Sequence, residues 1–225
     1  MHKFFGFLSL FILLLSVAFN SYADNQLSNL NNKFSKYMSD PKVRSPIAMI
    51  VNQNNGEVIY QKNAYSVGSI ASLTKLMSAM VILDSKIDLN KKIKISKQDI
   101  DRLKGTGSRI PIGTLISGYD LLKISLMSSD NRAASALSRA YPSGKKGFIK
   151  AMNIKALKLG MHNSKFADPT GLNKRNKSTA RDLVRMVEAA YQYPLIRKIT
   201  TTPQEAFKIG KRKNEIGYVN TNRLV

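Results

Sequence analysis

The 225-residue chain contains no cysteine, only two histidines (His2 and His162), and 14 acidic residues against 36 basic ones. Without cysteine there is no disulfide framework, no thiol nucleophile and no His/Cys metal cage, so stability rests on an ordinary packed core. His2 lies in a segment that reads as a leader, which leaves His162 as the single histidine for any Ser-His-Asp triad. His162 follows Gly160 in a turn, and nothing near it in sequence makes it a base or a ligand. A serine activated by a lysine stays open.

The chain begins with a short positive stretch, His2-Lys3, followed by an almost unbroken apolar run from Phe4 to Phe19 and a small-x-small site at Ser21-Tyr22-Ala23. This is the layout of a secretory signal peptide, so residues 1–23 are expected to be removed and the protein to be periplasmic. The alternative is an uncleaved anchor, but the run is short for a stable span. The formal charge is +22, or +21 once Lys3 goes with the leader. Such an excess favours anionic partners, and for an exported chain this means an anionic envelope polymer and peripheral envelope association. The lysines are scattered among Asn and Ile, as in Asn90-Lys91-Lys92-Ile93-Lys94-Ile95, and are not interleaved with aromatics, so no nucleic-acid partner is expected.

Leu27, Leu30, Phe34 and Tyr37 recur at helical spacing over 26–38, and Asp40-Pro41 closes that helix. Two apolar runs, 47–51 and 58–60, flank Asn54-Asn55-Gly56 and predict a β-hairpin. Residues 69–84 are apolar around most of the circumference and predict a buried central helix. Ser96 and Ser117, each with Asp three residues later, open two further helices. Helices are also predicted over 133–140, 148–159 (closed by Gly160) and 179–191 (ended by Tyr193-Pro194). A short hairpin over 206–209 and 216–220 would carry Lys211, Arg212 and Lys213 at its tip. Asp168 and Asp182 read as turn and helix-start residues, and Met127, Met152 and Met186 as core.

Two motifs carry chemistry. In Ser72-Leu73-Thr74-Lys75 the serine and lysine share one helix face near an N-terminus, where the dipole favours negative charge. Burial of Lys75 would lower its pKa enough to let it act as a base on Ser72. Ser129-Asp130-Asn131 lies between two predicted helices. Each motif is weak alone, the first as a helix start and the second as turn and cap chemistry. Together they resemble two of the three motifs of penicillin-recognising serine enzymes.

The sequence resembles low-molecular-weight penicillin-binding proteins, more closely the D-alanyl-D-alanine carboxypeptidase/endopeptidase family and its endopeptidase branch. The likeness extends through Ser69–Lys75, Ser108–Thr114, Leu126–Ala134, Leu159–Met161, Phe166–Leu172 and Ser178–Leu183, and spans about 47–225. It implies an α/β (α+β) transpeptidase fold, with a helical lobe and an incomplete antiparallel sheet, over residues 24–225. It also implies peptidoglycan stem peptides or cross-links as substrates, β-lactams as covalent inhibitors, and no cofactor or metal. By the resemblance Ser72 is the nucleophile, Lys75 the base and Ser129 a proton relay to the leaving amine. Asn131 binds the substrate backbone or positions Lys75, and the Ser72 N–H forms half of an oxyanion hole.

The family's Lys-Thr-Gly strand has no counterpart in the sequence. Lys208-Ile209-Gly210 lacks the hydroxyl and reads as ordinary strand. The chain is accordingly expected to be a truncated or frameshifted member whose activity and folding are in doubt. The same resemblance leaves a non-catalytic basic envelope-binding protein as the alternative. A class A β-lactamase needs a glutamate after the second motif, and none occurs between Glu57 and Glu188.

Overall fold

The computed structural model describes residues 42–210 and 215–225. The leader, the helix predicted over 26–38 and the Lys211–Lys213 tip fall outside the described residues. The unit that carries the motifs is Ser45–Val225.

Its strands form four separate antiparallel pairs. The first is the predicted hairpin, β1 (Ala48–Val51) with β2 (Val58–Lys62), turned through 52–56 with Gly56 at φ +75°. β3 (Gly68–Ser69) comes next, then a single 3-10 turn, Ala71–Leu73, and helix α1 (Thr74–Asp84). The expected helix from Ser69 therefore starts five residues later. Ser69 is held in a strand by pairing with Lys177, and Ala71 has φ +43°, a left-handed conformation that the interior of a right-handed α-helix does not accommodate. Apolar periodicity does not register either feature.

β4 (Lys92–Lys94) pairs with β5 (Leu115–Ser117). Ser96 and Asp99 form the expected capping box, but around one 3-10 turn and not a longer helix. Helix α2 (Gly118–Met127) is N-capped by Ser117, whose hydroxyl accepts from the Asp120 N–H. Then come α3 (Asn131–Arg139) and α4 (Gly144–Lys158). Gly160, at φ +70°, ends α4 in a Schellman motif, with the Gly160 N–H donating to Leu157 O and the Met161 N–H to Ala156 O. β6 (Lys177–Ser178) pairs with β3 and leads into α5 (Ala180–Tyr191), N-capped by Thr179. Helix α6 (Pro194–Thr200) was not anticipated: Pro194, read as a terminator, occupies the first turn, where a missing N–H costs nothing. β7 (Gln204–Phe207) and β8 (Ile216–Val219) form the predicted last hairpin.

α1 is the hub. It packs against α2, α3, α4 and α5, and Met77, Met80 and Ile82 are essentially inaccessible. Each such side chain contributes about 1.5–3 kcal/mol by leaving water. Met127, Met152 and Met186 join this core as expected. The β1–β2 hairpin leans on α5 but leaves Ile50, Val58 and Ile59 exposed. Among the described residues no helix is long and apolar enough to cross a membrane.

Candidate active site

Three segments distant in sequence converge at the start of α1. The first is Ala71–Lys75. The second is the α2–α3 turn, where Ser129 adopts φ +56°, Asp130 N-caps α3 by accepting from the Ala133 N–H at 2.9 Å, and Asn131 opens the helix. The alternation sends Asp130 into the structure as a cap and leaves Ser129 and Asn131 for the site. Ala71 and Ser129 are both non-glycine residues at positive φ, a conformation that costs about 1 kcal/mol or more and clusters at functional sites.

The third segment is the loop 166–176. Asp168 is its hub, accepting from Thr170 Oγ1 (2.8 Å), the Gly171 N–H (2.8 Å) and Asn176 Nδ2 (2.8 Å). Asn176, fully buried, also accepts from the Ala167 N–H and donates to Thr74 Oγ1, which pins the loop to α1. Gly171 is required where the loop crosses Ala71. Its φ is +89°, and a Cβ there would lie 1.9 Å from the Ala71 carbonyl oxygen.

The result is a continuous chain of contacts. Lys75 Nζ lies 3.1 Å from Ser72 Oγ, 2.7 Å from Asn131 Oδ1 and 2.8 Å from Thr170 O. Ser129 Oγ donates to Ser72 Oγ at 2.8 Å. Ser72 is exposed and opens on a cleft of about 330 Å³ whose walls include Leu73, Leu126, Ser129, Thr200 and Thr221. Thr221 is drawn there because its N–H donates to Met127 O, just before the Ser129 turn. Lys75 is only 3% exposed. Burial pushes it down from 10.5 to about 8, although the Asp168 and Asp130 carboxylates pull the other way. A population of neutral amine near neutral pH results, as a general base requires.

All four residues singled out from the motifs, Ser72, Lys75, Ser129 and Asn131, are thus brought together. Sequence reasoning missed Thr170, whose contribution is a backbone carbonyl, and understated Asp168, which is a turn residue but also faces Lys75 electrostatically. Lys208-Ile209-Gly210 comes after β7, with Ile209 in the core and Gly210 beside Thr114, and none of the three lines the cleft. His162 is exposed and apart from these contacts.

Comparison with known proteins points to one family and fold. A family model described as D-alanyl-D-alanine carboxypeptidase matches residues 34–225. D-alanyl-D-alanine endopeptidases of Pseudomonas aeruginosa and Escherichia coli are each 45% identical, over 82% and 83% of this chain. The chain spans 59% and 60% of those two relatives' lengths. Among solved structures, the Streptomyces K15 DD-transpeptidase superposes with a TM-score of 0.76 at 29% identity, covering 83% of this chain and 77% of its own. A D-alanyl-D-alanine carboxypeptidase from Mycobacterium tuberculosis gives a TM-score of 0.73 at 26% identity, covering 83% and 70%. With the α+β fold, both motifs and the contacts between them in place, the chain belongs to the D-alanyl-D-alanine carboxypeptidase family.

Proposed function

We propose that this chain carries the nucleophile centre of a serine peptidase acting on D-Ala-linked peptidoglycan peptides. The observation that carries the reading is the Ser129–Ser72–Lys75–Asn131 hydrogen-bond chain around a buried lysine. A neutral amine has two N–H donors and one lone pair. Asn131 Oδ1 and Thr170 O accept the two N–H groups, so the lone pair is left for the Ser72 hydroxyl. Lys75 takes that proton as Ser72 Oγ bonds to the substrate carbonyl carbon, and the Ser72 N–H serves the oxyanion. The C–N bond then breaks. The proton held on Lys75 passes through Ser129 to the leaving amine, which departs from an acyl-enzyme. Water, deprotonated by the same lysine, releases the acyl group.

The relatives at 45% identity are named endopeptidases, which favours a cross-link over a terminal D-Ala as the scissile bond. β-Lactams would acylate Ser72 by the same steps. Residues 1–23 fit a leader that exports residues 24–225 as one catalytic domain to the periplasm. The intact mass of the purified chain after exposure to penicillin, with Ser72→Ala alongside, tests the reading. An adduct on the wild type alone supports it, and no adduct on folded protein refutes it. The charge excess favours a second reading, a non-catalytic basic protein bound to anionic envelope polymer. Its signature is salt-sensitive polymer binding that Ser72→Ala leaves unchanged, without acylation.

A further inference from the structure

Asn131 works in the site only if its amide is the right way round. With the oxygen toward Lys75, both amine protons have acceptors. Reversed, the amide would present its own N–H groups and compete with Ser72 for the lone pair. The amide nitrogen Nδ2 donates to Thr106 Oγ1 at 2.9 Å, across 25 residues of sequence. Thr106 in turn donates its single hydroxyl proton to Asp101 Oδ2 at 2.7 Å. A hydroxyl whose proton is committed can only accept from its other neighbour. Asp101 is itself fixed, accepting from the N–H groups of Leu103, Lys104 and Thr106 at 2.8, 3.1 and 2.9 Å.

We propose that Thr106, held by Asp101, is a positioning residue that sets the amide orientation of Asn131 and through it the lone-pair direction of Lys75. The two ends of the amide then meet partners with opposite demands. Lys75 offers protons and takes the oxygen, and Thr106 offers lone pairs and takes the nitrogen. The assignment rests on the nucleophile reading above for its catalytic meaning but not for its structural content.

The test uses Thr106→Val, which keeps the shape and removes both hydrogen bonds, and Thr106→Ser, which restores the hydroxyl. Lys75 is followed by NMR in the full chain with isotope-labelled lysine, its signal identified by loss in Lys75→Arg. The groups facing Lys75 are the Asp168 and Asp130 carboxylates, the Thr170 carbonyl, Asn131 and Ser72. An oxygen acceptor stabilises the ammonium more than the amine, so losing the fixed Asn131 oxygen lowers the Lys75 titration in Thr106→Val. A loop that merely loosens would hydrate Lys75 and move it the other way, toward 10.5. A lowered midpoint that Thr106→Ser reverses supports the assignment, and a midpoint that stays or rises overturns it. If the wild type is acylated by penicillin, Thr106→Val should be slower by about tenfold, the worth of one hydrogen bond in a barrier, when the two are compared at a pH above both midpoints, where Lys75 is neutral in each. A rate within about twofold of wild type would also overturn the assignment. An unreactive wild type defeats the proposed function, while the titration still decides the role of Thr106.

Discussion

Lys75 reconciles burial with a useful protonation state, because two fixed oxygens accept its N–H groups and the third direction is Ser72. The proposed base is the neutral amine, so reactivity should rise with pH as Lys75 loses its proton. Penicillin acylation rates between pH 6 and 10 should follow a single ionisation near pH 8, the value set by burial. With that value roughly a tenth of the amine is neutral at pH 7. A flat profile would remove Lys75 from the mechanism. Gly171 is the other residue on which the site turns. Gly171→Ala puts a methyl group into the Ala71 backbone, so urea unfolding should report a loss of about 3 kcal/mol or more. The four motif residues were legible through the conjunction of two motifs that resemble those of a known family, since each alone reads as a helix start or as turn and cap chemistry. Thr106, Asp168 and Thr170 were not, since loop residues joined across 25 to 95 positions leave no periodic signal.

At the level of elements, the sheet fragments and helices divide the labour between edges and hub. The first hairpin announced itself by apolar runs about Asn54-Asn55-Gly56, α2 by the Ser117 cap and α4 by Gly160. The two- and three-residue strands β3, β4, β5 and β6 are too short for alternation to register and exist because of their partners. β3–β6 pairing nonetheless delivers Ser72, since it ties the chain ahead of Ala71 to the end of the Asp168 loop. Gly160 offers a contrast with Gly171. Its Cβ would approach nothing nearer than 3.8 Å, so Gly160→Ala carries only the cost of a positive φ. Thermal or urea melts should show about 1 kcal/mol, with penicillin reactivity at 25 °C intact. A larger loss would mean that the Schellman turn governs more than the end of α4.

On the scale of the whole molecule the dominant property is charge, 36 basic residues against 14 acidic. If envelope polymer is a partner, its affinity should fall steeply between low salt and physiological ionic strength, as the screening length shrinks toward about 8 Å. Co-sedimentation with isolated polymer across a salt series measures this, and salt-insensitive binding would rule out the electrostatic account. The scaffold also has a temporal consequence. Helices α1 to α5 can form from neighbours along the chain, whereas the site joins Lys75 to Thr170 and Ser72 to Ser129 across 95 and 57 positions. Long-range closure is slow relative to helix formation. During refolding, ellipticity should recover before the Ser72 hydroxyl can react. The lag between them is the time the chain needs to bring its distant loop home, so a reactive serine marks a molecule that has finished folding.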